Sequence, residues 1–336
     1  MTTTTISEFR NVDVPLAFSK IGPYCLGKEI GRGATGILYE ATHVEQSRKV
    51  VLKLLDPRLV GGQKASRQDH LFAREAMILA KISRHPGIIG VLDAGSGEGL
   101  PYIVMEHIEG RPLSLALQFR KTDLKGLVRI LRDVALAVHH AHEHNILHRN
   151  LKPSNVLLDE NEQAHITDFG VAKIIDPHAN QSTTYTVAGP VGTPSYMSPE
   201  QAAGLKAIDR RTDVYSLGAM LYEIMTGRPP FTVGHSVLDL VNIVRGDIKP
   251  PSKLKPEGGA TGGDAALEKI CMTALANAPK DRHATAKVFA AALTEWLGET
   301  SARKEPAIPS RKTIAGFCLA IGLVVAAALA YTTIFS

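Results

Sequence analysis

Asn145-Ile146-Leu147-His148-Arg149-Asn150-Leu151-Lys152-Pro153-Ser154-Asn155 is the stretch that decides the fold of this chain, and Asp168-Phe169-Gly170 follows it after a short predicted strand. Within this stretch, Asn150 carries an amide, which can accept a hydrogen bond but has no basicity with which to remove a proton. The next carboxylate along the chain, Asp159, lies beyond the predicted strand, so no neighbouring acid in the sequence supplies a base at this position. Whether this segment can remove a proton therefore depends on Asn150.

These two motifs resemble the catalytic core of the eukaryotic-type (Hanks-type) serine/threonine protein kinases. In that family the first motif reads H-R-D-L-K-P-x-N, and its aspartate accepts the proton of the substrate hydroxyl; Asn150 stands at that position. The resemblance implies that Lys152 lies near the γ-phosphate of ATP and that Asn155 and Asp168 hold Mg²⁺ through hard oxygen atoms. Loss of a general base typically slows a reaction about 10²- to 10⁴-fold. Phosphoryl transfer relies mainly on positioning and metal electrostatics, so we expect slow residual activity.

A glycine-rich segment near the N-terminus lies between a predicted strand at 24–30 and β-forming residues at 37–39. This context favours the bend of a hairpin over a dinucleotide-binding turn, which should open a helix, and the lack of G-K-[ST] excludes a Walker-type loop. A plain glycine-rich hairpin is the alternative. The resemblance implies that the loop covers the phosphates of ATP. The predicted ATP-binding residues of this segment are Ile30, Gly31, Arg32, Gly33, Ala34, Thr35, Gly36, Ile37 and Leu38.

Lys53 lies in an apolar predicted strand, where a buried charge needs a partner. A helix is predicted from Ser66 to Ser83 by its apolar spacing, and Glu75 lies within it. Taken alone, Glu75 would be read as a solvated surface residue. The resemblance implies that it pairs with Lys53, which would hold the α- and β-phosphates. The segment 101–107 resembles the hinge between two lobes, and the backbone from Glu106 to Ile108 would then bind the adenine edge.

The segment after Asp168 carries further motifs of the same family. Residues 192–200 are similar to G-T-P-x-Y-M-[AS]-P-E, which implies that Thr193 faces Asn150 and Lys152 as a third catalytic residue. Residues 182–186 form a hydroxyl cluster without an acidic residue. A phosphate there could pair with Arg149 and order the loop; an unmodified mobile loop is an equal alternative.

Two charged residues farther along the chain are expected to support the site. Asp213 lies in a segment that resembles the buried helix whose aspartate braces the catalytic loop. Arg282 resembles the arginine that pairs with the glutamate of P-E, here Glu200. A long amphipathic helix is also predicted from Asp123 to Asn145. It ends in several histidines, which we interpret as surface and helix-end residues; chelation of a metal by a pair of them is the alternative.

Composition limits the classes of function. The chain has 336 residues, a formal net charge of +5, 21% charged residues and 44% hydrophobic residues. Lysine and arginine do not form a stripe interleaved with aromatic residues, so we expect no nucleic-acid partner. The three cysteines, Cys25, Cys271 and Cys318, are far apart, which matches neither a disulfide framework nor a zinc site and suits a reducing compartment.

The two ends of the chain differ from the rest. Residues 1–23 have no apolar core typical of a signal peptide and are predicted to be disordered. Residues 313–335 contain no charged residue, and a helix of this length spans about 34 Å, enough to cross a hydrocarbon core of about 30 Å. Basic residues in the preceding polar linker, 298–312, keep that flank on the cytoplasmic side. Only Ser336 follows, so we expect no external domain; a buried core helix is the alternative.

The resemblance extends over residues 24–297 and implies an α+β, bilobal protein-kinase fold, with a β-rich small lobe, a helical large lobe, and ATP and Mg²⁺ between them. The linker and one C-terminal transmembrane helix complete the prediction. The expected partners are ATP, a cytoplasmic protein substrate or partner, and membrane lipid; self-association stays open. Two functional hypotheses remain. One is a slow serine/threonine kinase that phosphorylates itself or a cytoplasmic protein. The other is a membrane-tethered pseudokinase that binds nucleotide and recruits a partner.

Overall fold

The computed structural model of the chain describes residues 19–32, 36–56, 63–119, 122–169, 173–174, 194–232, 237–254 and 264–299. Some predicted features lie outside these residues and stay predictions. They are residues 1–18, Gly33 to Thr35 of the glycine-rich segment, the hydroxyl cluster at 182–186, Thr193, the linker from residue 300 and the spanning segment 313–335. Among the described residues, no helix is both long and apolar enough to cross a membrane.

The first part of the described chain forms an antiparallel six-stranded sheet with the strand order β1-β2-β3-β4-β6-β5. Its strands are β1 (Lys20–Ile21), β2 (Tyr24–Arg32), β3 (Gly36–His43), β4 (Arg48–Leu55), β5 (Val91–Gly97) and β6 (Leu100–Glu106). Strand β1 corrects the prediction of disorder up to residue 23. Ile21 is fully buried there and pairs with Tyr24 across a two-residue turn, which is enough to order these residues.

Close packing in the sheet explains one glycine of the predicted loop. Gly36 opens β3 directly opposite Leu55 of β4. A Cβ atom at Gly36 would lie 2.4 Å from the carbonyl oxygen of Leu54, a distance that no side chain tolerates. Glycine is therefore required at residue 36 by the sheet itself, whatever ligand the hairpin covers.

Helix α1 (Gln63–Ile82) covers one face of this sheet. Its described buried side chains include Phe72, Leu79 and Ile82, which recur at helical spacing as the sequence predicted. These residues belong to a continuous apolar core that extends into the second lobe, whereas Leu52 and Val104 belong to a separate core on the opposite face of the sheet. The main core therefore joins the sheet to the helices below it.

The second lobe is helical. In the described residues its helices are α2 (Leu113–Phe119), α3 (Leu124–Glu143), α4 (Pro199–Ala202), α5 (Arg211–Thr226), α6 (Val237–Arg245), α7 (Ala265–Ala274) and α8 (Ala286–Trp296). Asp123 caps α3 by accepting a hydrogen bond from the Gly126 amide at 2.7 Å. Helix α5 is buried along almost its whole length, and α3 packs against α5 and α8. The bilobal α+β architecture predicted for these residues is confirmed.

Short strands lie where the two lobes meet. Strand β9 (Val156–Asp159) pairs with β7 (Gly110–Pro112) and with β10 (Ala164–Ile166), and β8 (Ile146–Leu147) pairs with β11 (Lys173–Ile174). The segments between β8 and β9 and directly after β10 carry the polar residues of the first motif and Asp168. The small sheets therefore hold both polar segments side by side.

Candidate active site

The predicted ion pair between Lys53 and Glu75 is confirmed. Alternation along β4 puts Lys53 on the same face as Val51 and Leu55, towards α1, because successive side chains of a strand point to opposite faces. Glu75 continues the buried stripe of α1 three residues after Phe72. The Lys53 Nζ lies 2.6 Å from both carboxylate oxygens of Glu75, and the two side chains are only 7% and 3% exposed.

Asp213, at the start of α5, holds the loop before β9 in place. Its carboxylate accepts hydrogen bonds from the backbone amides of His148 at 2.9 Å and Arg149 at 2.8 Å. It also accepts a hydrogen bond from His142 Nε2 at 2.7 Å. Burial alone would raise the pKa of Asp213, but the hydrogen bond and charge interaction with His142 and the Arg149 amide lower it. The predicted brace is therefore confirmed, and it is a charged carboxylate.

The third donor to this carboxylate was missed by the sequence reasoning. His142 was interpreted as a surface or helix-end residue, but it is buried at the end of α3. The signal was present in the sequence, because His142 follows Val138 by four residues and so continues the apolar stripe of α3. The reason for its burial is the charged partner Asp213, which compensates the cost of removing a polar ring from water.

His148 connects the loop to Asp168 and Phe169. Because a carbonyl oxygen can only accept, His148 Nε2 donates to the oxygen of Thr167 at 3.0 Å, and Nδ1 accepts from the Asn150 amide at 3.3 Å. The ring packs on Phe169 with centroids 4.6 Å apart. Burial lowers the pKa of His148. The neutral imidazole with its proton on Nε2 is therefore the form that fits, and it fixes the backbone at Asn150.

The side chains of Asn150, Asn155 and Asp168 come together as the motifs predicted. Asn155 Nδ2 donates to the backbone oxygen of Asn150 at 2.8 Å and to Asp168 Oδ2 at 3.3 Å. Asn150 Nδ2 donates to the same Asp168 oxygen at 3.2 Å. Since the amide nitrogen of Asn155 is used in this way, the group that it offers to a cation is its amide oxygen.

Backbone strain accompanies this arrangement. Arg149 and Asp168 have φ angles of 66° and 61°, in the left-handed region that non-glycine residues seldom adopt. Such strain persists only where surrounding contacts over-determine it, and it concentrates at functional sites. Here Asp213 holds Arg149, and buried Phe169 fixes the backbone directly after Asp168.

The oxygens of Asn155 and Asp168 fit a magnesium ion chemically. Both are hard donors, and Mg²⁺ in phosphate-transfer sites takes one or two protein oxygens together with phosphates and water. No group of three or more His, Cys, Asp or Glu side chains in the described part of the chain is arranged to hold a metal. Chelation of a metal by the pair His140 and His144 stays an alternative from the sequence. The two ring centroids lie 4.5 Å apart with the planes tilted by 48°, and His144 Nδ1 donates to the backbone oxygen of His140.

The described part of the predicted glycine-rich segment lies at the ends of two paired strands of the six-stranded sheet. Ile30 to Arg32 end β2, and Gly36 to Leu38 open β3. Arg32 makes ion pairs that the sequence did not suggest, with Glu29 at 2.8 Å and Asp56 at 3.3 Å. The pair with Asp56 ties the end of β2 to the end of β4.

The hinge residues follow β6. The backbone amide of Glu106 donates to the oxygen of Gly90 at 2.9 Å, so its backbone can offer a ligand only the carbonyl oxygen. Ile108 lies in the extended segment after β6 and packs partly buried against the main core. Lys152 lies two residues after Asn150 in the loop before β9. The roles assigned to these residues from the sequence stay predictions.

The predicted pair between Arg282 and Glu200 is also confirmed. Arg282 binds both carboxylate oxygens of Glu200, at 2.7 Å and 2.8 Å, and both residues are buried. Next to Glu200, Gln201 donates to the backbone oxygen of Arg149 at 2.8 Å, a contact that the motifs did not suggest. The pair therefore anchors α4, and α4 in turn supports the loop that carries Asn150.

Comparison with known proteins agrees with this geometry. Residues 24–293 match the family model described as protein kinase domain. The chain is 34% identical over 297 residues to serine/threonine-protein kinase Pkn1 of Myxococcus xanthus, across 86% of this chain and 41% of Pkn1. It is 35% identical over 303 residues to tyrosine-protein kinase MasK of the same species, across 85% and 44% of the two chains. It is 36% identical over 275 residues to serine/threonine-protein kinase PknB of Mycolicibacterium smegmatis, across 78% and 41%.

The chain spans less than half the length of each of these relatives. The family model nevertheless covers both lobes, from β2 into α8, and includes the Lys53–Glu75 pair, the Asp213 brace and the Asp168 group. This chain belongs to the protein kinase domain family.

Proposed function

We propose that this protein is a serine/threonine protein kinase that transfers the γ-phosphoryl group of Mg²⁺-bound ATP to protein hydroxyl groups, including its own. The observation that carries the proposal is the closed Lys53–Glu75 ion pair, at 2.6 Å, in a structure where Asp168 also lies beside Asn155. In protein kinases this ion pair and the metal-binding aspartate must both be in place for catalysis. Burial of Phe169 on His148 supports the same conclusion, because this phenylalanine separates active from inactive arrangements.

Each of these side chains has its own role in phosphoryl transfer. Lys53, aligned by Glu75, binds the α- and β-phosphates, and Lys152 neutralises charge near the γ-phosphate. Asn155 and Asp168 hold the magnesium, which when bound neutralises the charge that develops on the phosphates. Because Asn150 Nδ2 points at Asp168, its Oδ1 is the atom that can accept the substrate O–H and orient it.

The amide of Asn150 cannot take up the hydroxyl proton, so this proton must pass to another acceptor, such as a phosphate oxygen of the nucleotide. Loss of a side-chain base costs about 10²- to 10⁴-fold in rate. We therefore propose a slow kinase. The choice of serine and threonine over tyrosine follows from the form Leu-Lys-Pro-Ser-Asn at 151–155, which resembles the serine/threonine branch. The relatives include a serine/threonine-protein kinase and a tyrosine-protein kinase.

A membrane tether is the second part of the proposal. It rests on the uncharged segment 313–335 and on the basic residues of the linker 298–312 that precedes it. The kinase domain would then face the cytoplasm and act on cytoplasmic proteins or on a second copy of itself. Cell fractionation tests this: the full chain should sediment with membranes and resist extraction by high salt, whereas residues 1–312 should not. Recovery of the full chain in the soluble fraction would refute the proposed membrane tether.

Phosphate incorporation from Mg²⁺-ATP tests the enzymatic part. The full chain is compared with Asn150→Asp and Asp168→Ala, and labelled protein is hydrolysed to identify the phosphorylated amino acid. We expect labelling on serine or threonine above the Asp168→Ala background, and faster labelling by Asn150→Asp. A wild-type chain that binds ATP but stays at background, while Asn150→Asp is active, would instead establish the pseudokinase. Labelling of tyrosine alone would refute the assigned specificity.

A further inference from the structure

The contact between Asn150 and Asp168 has a consequence for metal binding that does not depend on the rate of catalysis. Asp168 Oδ2 accepts hydrogen bonds from two amides, Asn150 Nδ2 at 3.2 Å and Asn155 Nδ2 at 3.3 Å. An ionised carboxylate can only accept, so the orientation of both amides is dictated by the partner. A carboxylate at residue 150 would turn the first of these contacts into two facing acceptors.

We infer that Asn150 is a positioning residue that holds Asp168 beside Asn155 by hydrogen-bond donation and so makes nucleotide binding by this chain less dependent on Mg²⁺ than it would be with aspartate at the same position. The inference rests on the proposed ATP binding. By the family resemblance alone, Asn150 has only lost the function of a base. The inference gives its amide nitrogen a separate function.

The charge balance of the site supports the inference. With asparagine at residue 150, the group formed by residues 150, 155 and 168 contains one acidic side chain; with aspartate it would contain two. A metal-free nucleotide brings several further negative charges into this site. Two unit charges about 4 Å apart near a protein surface interact strongly enough to change an equilibrium more than about tenfold. A second carboxylate would therefore repel metal-free ATP, and Mg²⁺ would be needed to neutralise the site.

Buried neighbours also support the position of Asp168 beside Asn150. His148 fixes the backbone at Asn150 through its Nδ1, and Asn155 binds the backbone oxygen of the same residue. Phe169, 1% exposed, packs against the His148 ring directly after Asp168. These residues therefore hold the Asn150 amide next to Asp168 without the help of a bound cation.

The test compares ATP affinity with and without Mg²⁺ for the full chain and three variants, by titration calorimetry in MgCl2 or in EDTA. Asn150→Asp adds a charge and removes the donor, and Asn150→Leu removes the donor alone. Asn145→Asp is the matched control, because it adds the same charge at an exposed residue outside the Asp168 contacts. The ratio of Kd in EDTA to Kd in Mg²⁺ should be at least about tenfold larger for Asn150→Asp than for the wild type. It should be intermediate for Asn150→Leu and unchanged for Asn145→Asp.

Equal ratios for the wild type and Asn150→Asp, within about twofold, would overturn the inference, since they would show that neither the donor nor the charge at residue 150 matters to metal dependence. If no variant binds ATP in either buffer, the proposed function fails, and thermal unfolding without nucleotide decides the inference separately. In EDTA, Asn150→Asp should then unfold about 2–4 °C below the wild type, and Mg²⁺ alone should restore part of that loss. Identical melting temperatures of the wild type and Asn150→Asp, with identical responses to Mg²⁺, would refute the inference.

Discussion

Replacing Arg282 by lysine should destabilise the whole large lobe, although the charge is kept. Arginine has five N–H donors, and all five are used here. Two bind Glu200, and the others bind the backbone oxygens of Ala276 at 2.8 Å, Arg211 at 3.0 Å and Asn277 at 2.8 Å. The guanidinium also lies over the ring of a buried tyrosine, 5.0 Å from its centroid. One side chain therefore connects three separate segments of the chain, at Glu200, at Arg211 and at 276–277.

The expected magnitude follows from the number of donors. A lysine ammonium has three donors and cannot reproduce the planar two-point contact with Glu200. At least two of the five hydrogen bonds made by Arg282 are therefore lost, and buried acceptors are left without their donors, at about 1–2 kcal/mol each. The free energy of unfolding should fall by about 2–4 kcal/mol. For a domain of this size that corresponds to a melting temperature lower by about 4–16 °C.

Thermal unfolding followed by circular dichroism measures this difference. Arg245→Lys is the matched control, because it makes the same chemical change at an exposed arginine of α6 and should stay within about 0.5 kcal/mol of the wild type. Glu200→Gln is a second probe of the pair, and it should cost about 3–5 kcal/mol because the buried guanidinium loses its counter-charge. A melting temperature for Arg282→Lys within 2 °C of the Arg245→Lys control, a limit of about 1 kcal/mol, would refute the reasoning.

Three further outcomes are expected. Lys53→Met should abolish the thermal stabilisation by Mg²⁺-ATP, about 2.7 kcal/mol at a hundredfold excess of ligand over Kd for the wild type; retained stabilisation would contradict the role of Lys53. Asp213→Asn should lower the free energy of unfolding by about 3 kcal/mol in urea titrations, because an amide has one acceptor oxygen for three donors. Stability should fall as the pH drops from 6.5 towards 4, since burial and the neighbouring His140 lower the pKa of His85 from 6.5 to about 4 in the folded chain, and the unfolded state then binds more protons. His85→Asn keeps an acceptor for the Gly87 amide and should weaken the dependence of the free energy of unfolding on pH. An unchanged pH dependence would show that other groups cause it.

The sequence predicted best what is local or fixed by motif order. Helix α1 and its partner strand follow from apolar periodicity. The pair between Lys53 and Glu75 was predicted through the family resemblance, and the structure shows that each residue lies on the buried face of its own element. The pair between Glu200 and Arg282 could be predicted only through the family resemblance. The two residues are 82 positions apart, and no spacing rule joins them.

Contacts that depend on tertiary placement were not predictable in the same way. The apolar stripe of α3 could have indicated the burial of His142, but it could not indicate its partner Asp213, 71 residues away. Gln201 of α4 donates to the backbone oxygen of Arg149 in the loop before β9, and Arg32 at the end of β2 donates to Asp56 directly after β4, with β3 between the two strands. In each case the residue type alone allows either exposure or burial, and the choice is made by a partner whose position only the fold defines. Sequence periodicity contains no information about such partners.

The support of the catalytic loop explains why residue 150 can be changed with little effect on the rest of the molecule. Asp213 holds the amides of His148 and Arg149, Gln201 holds the oxygen of Arg149, and Asn155 holds the oxygen of Asn150. All of these contacts are made to backbone atoms, and none uses the side chain of Asn150. Asparagine and aspartate have nearly the same shape, so either fits the same backbone. Exchange of one for the other therefore changes the proton acceptor and the charge beside Asp168 but leaves the backbone of the loop unchanged. Differences in rate or in metal dependence can then be assigned to the chemistry of residue 150 rather than to folding.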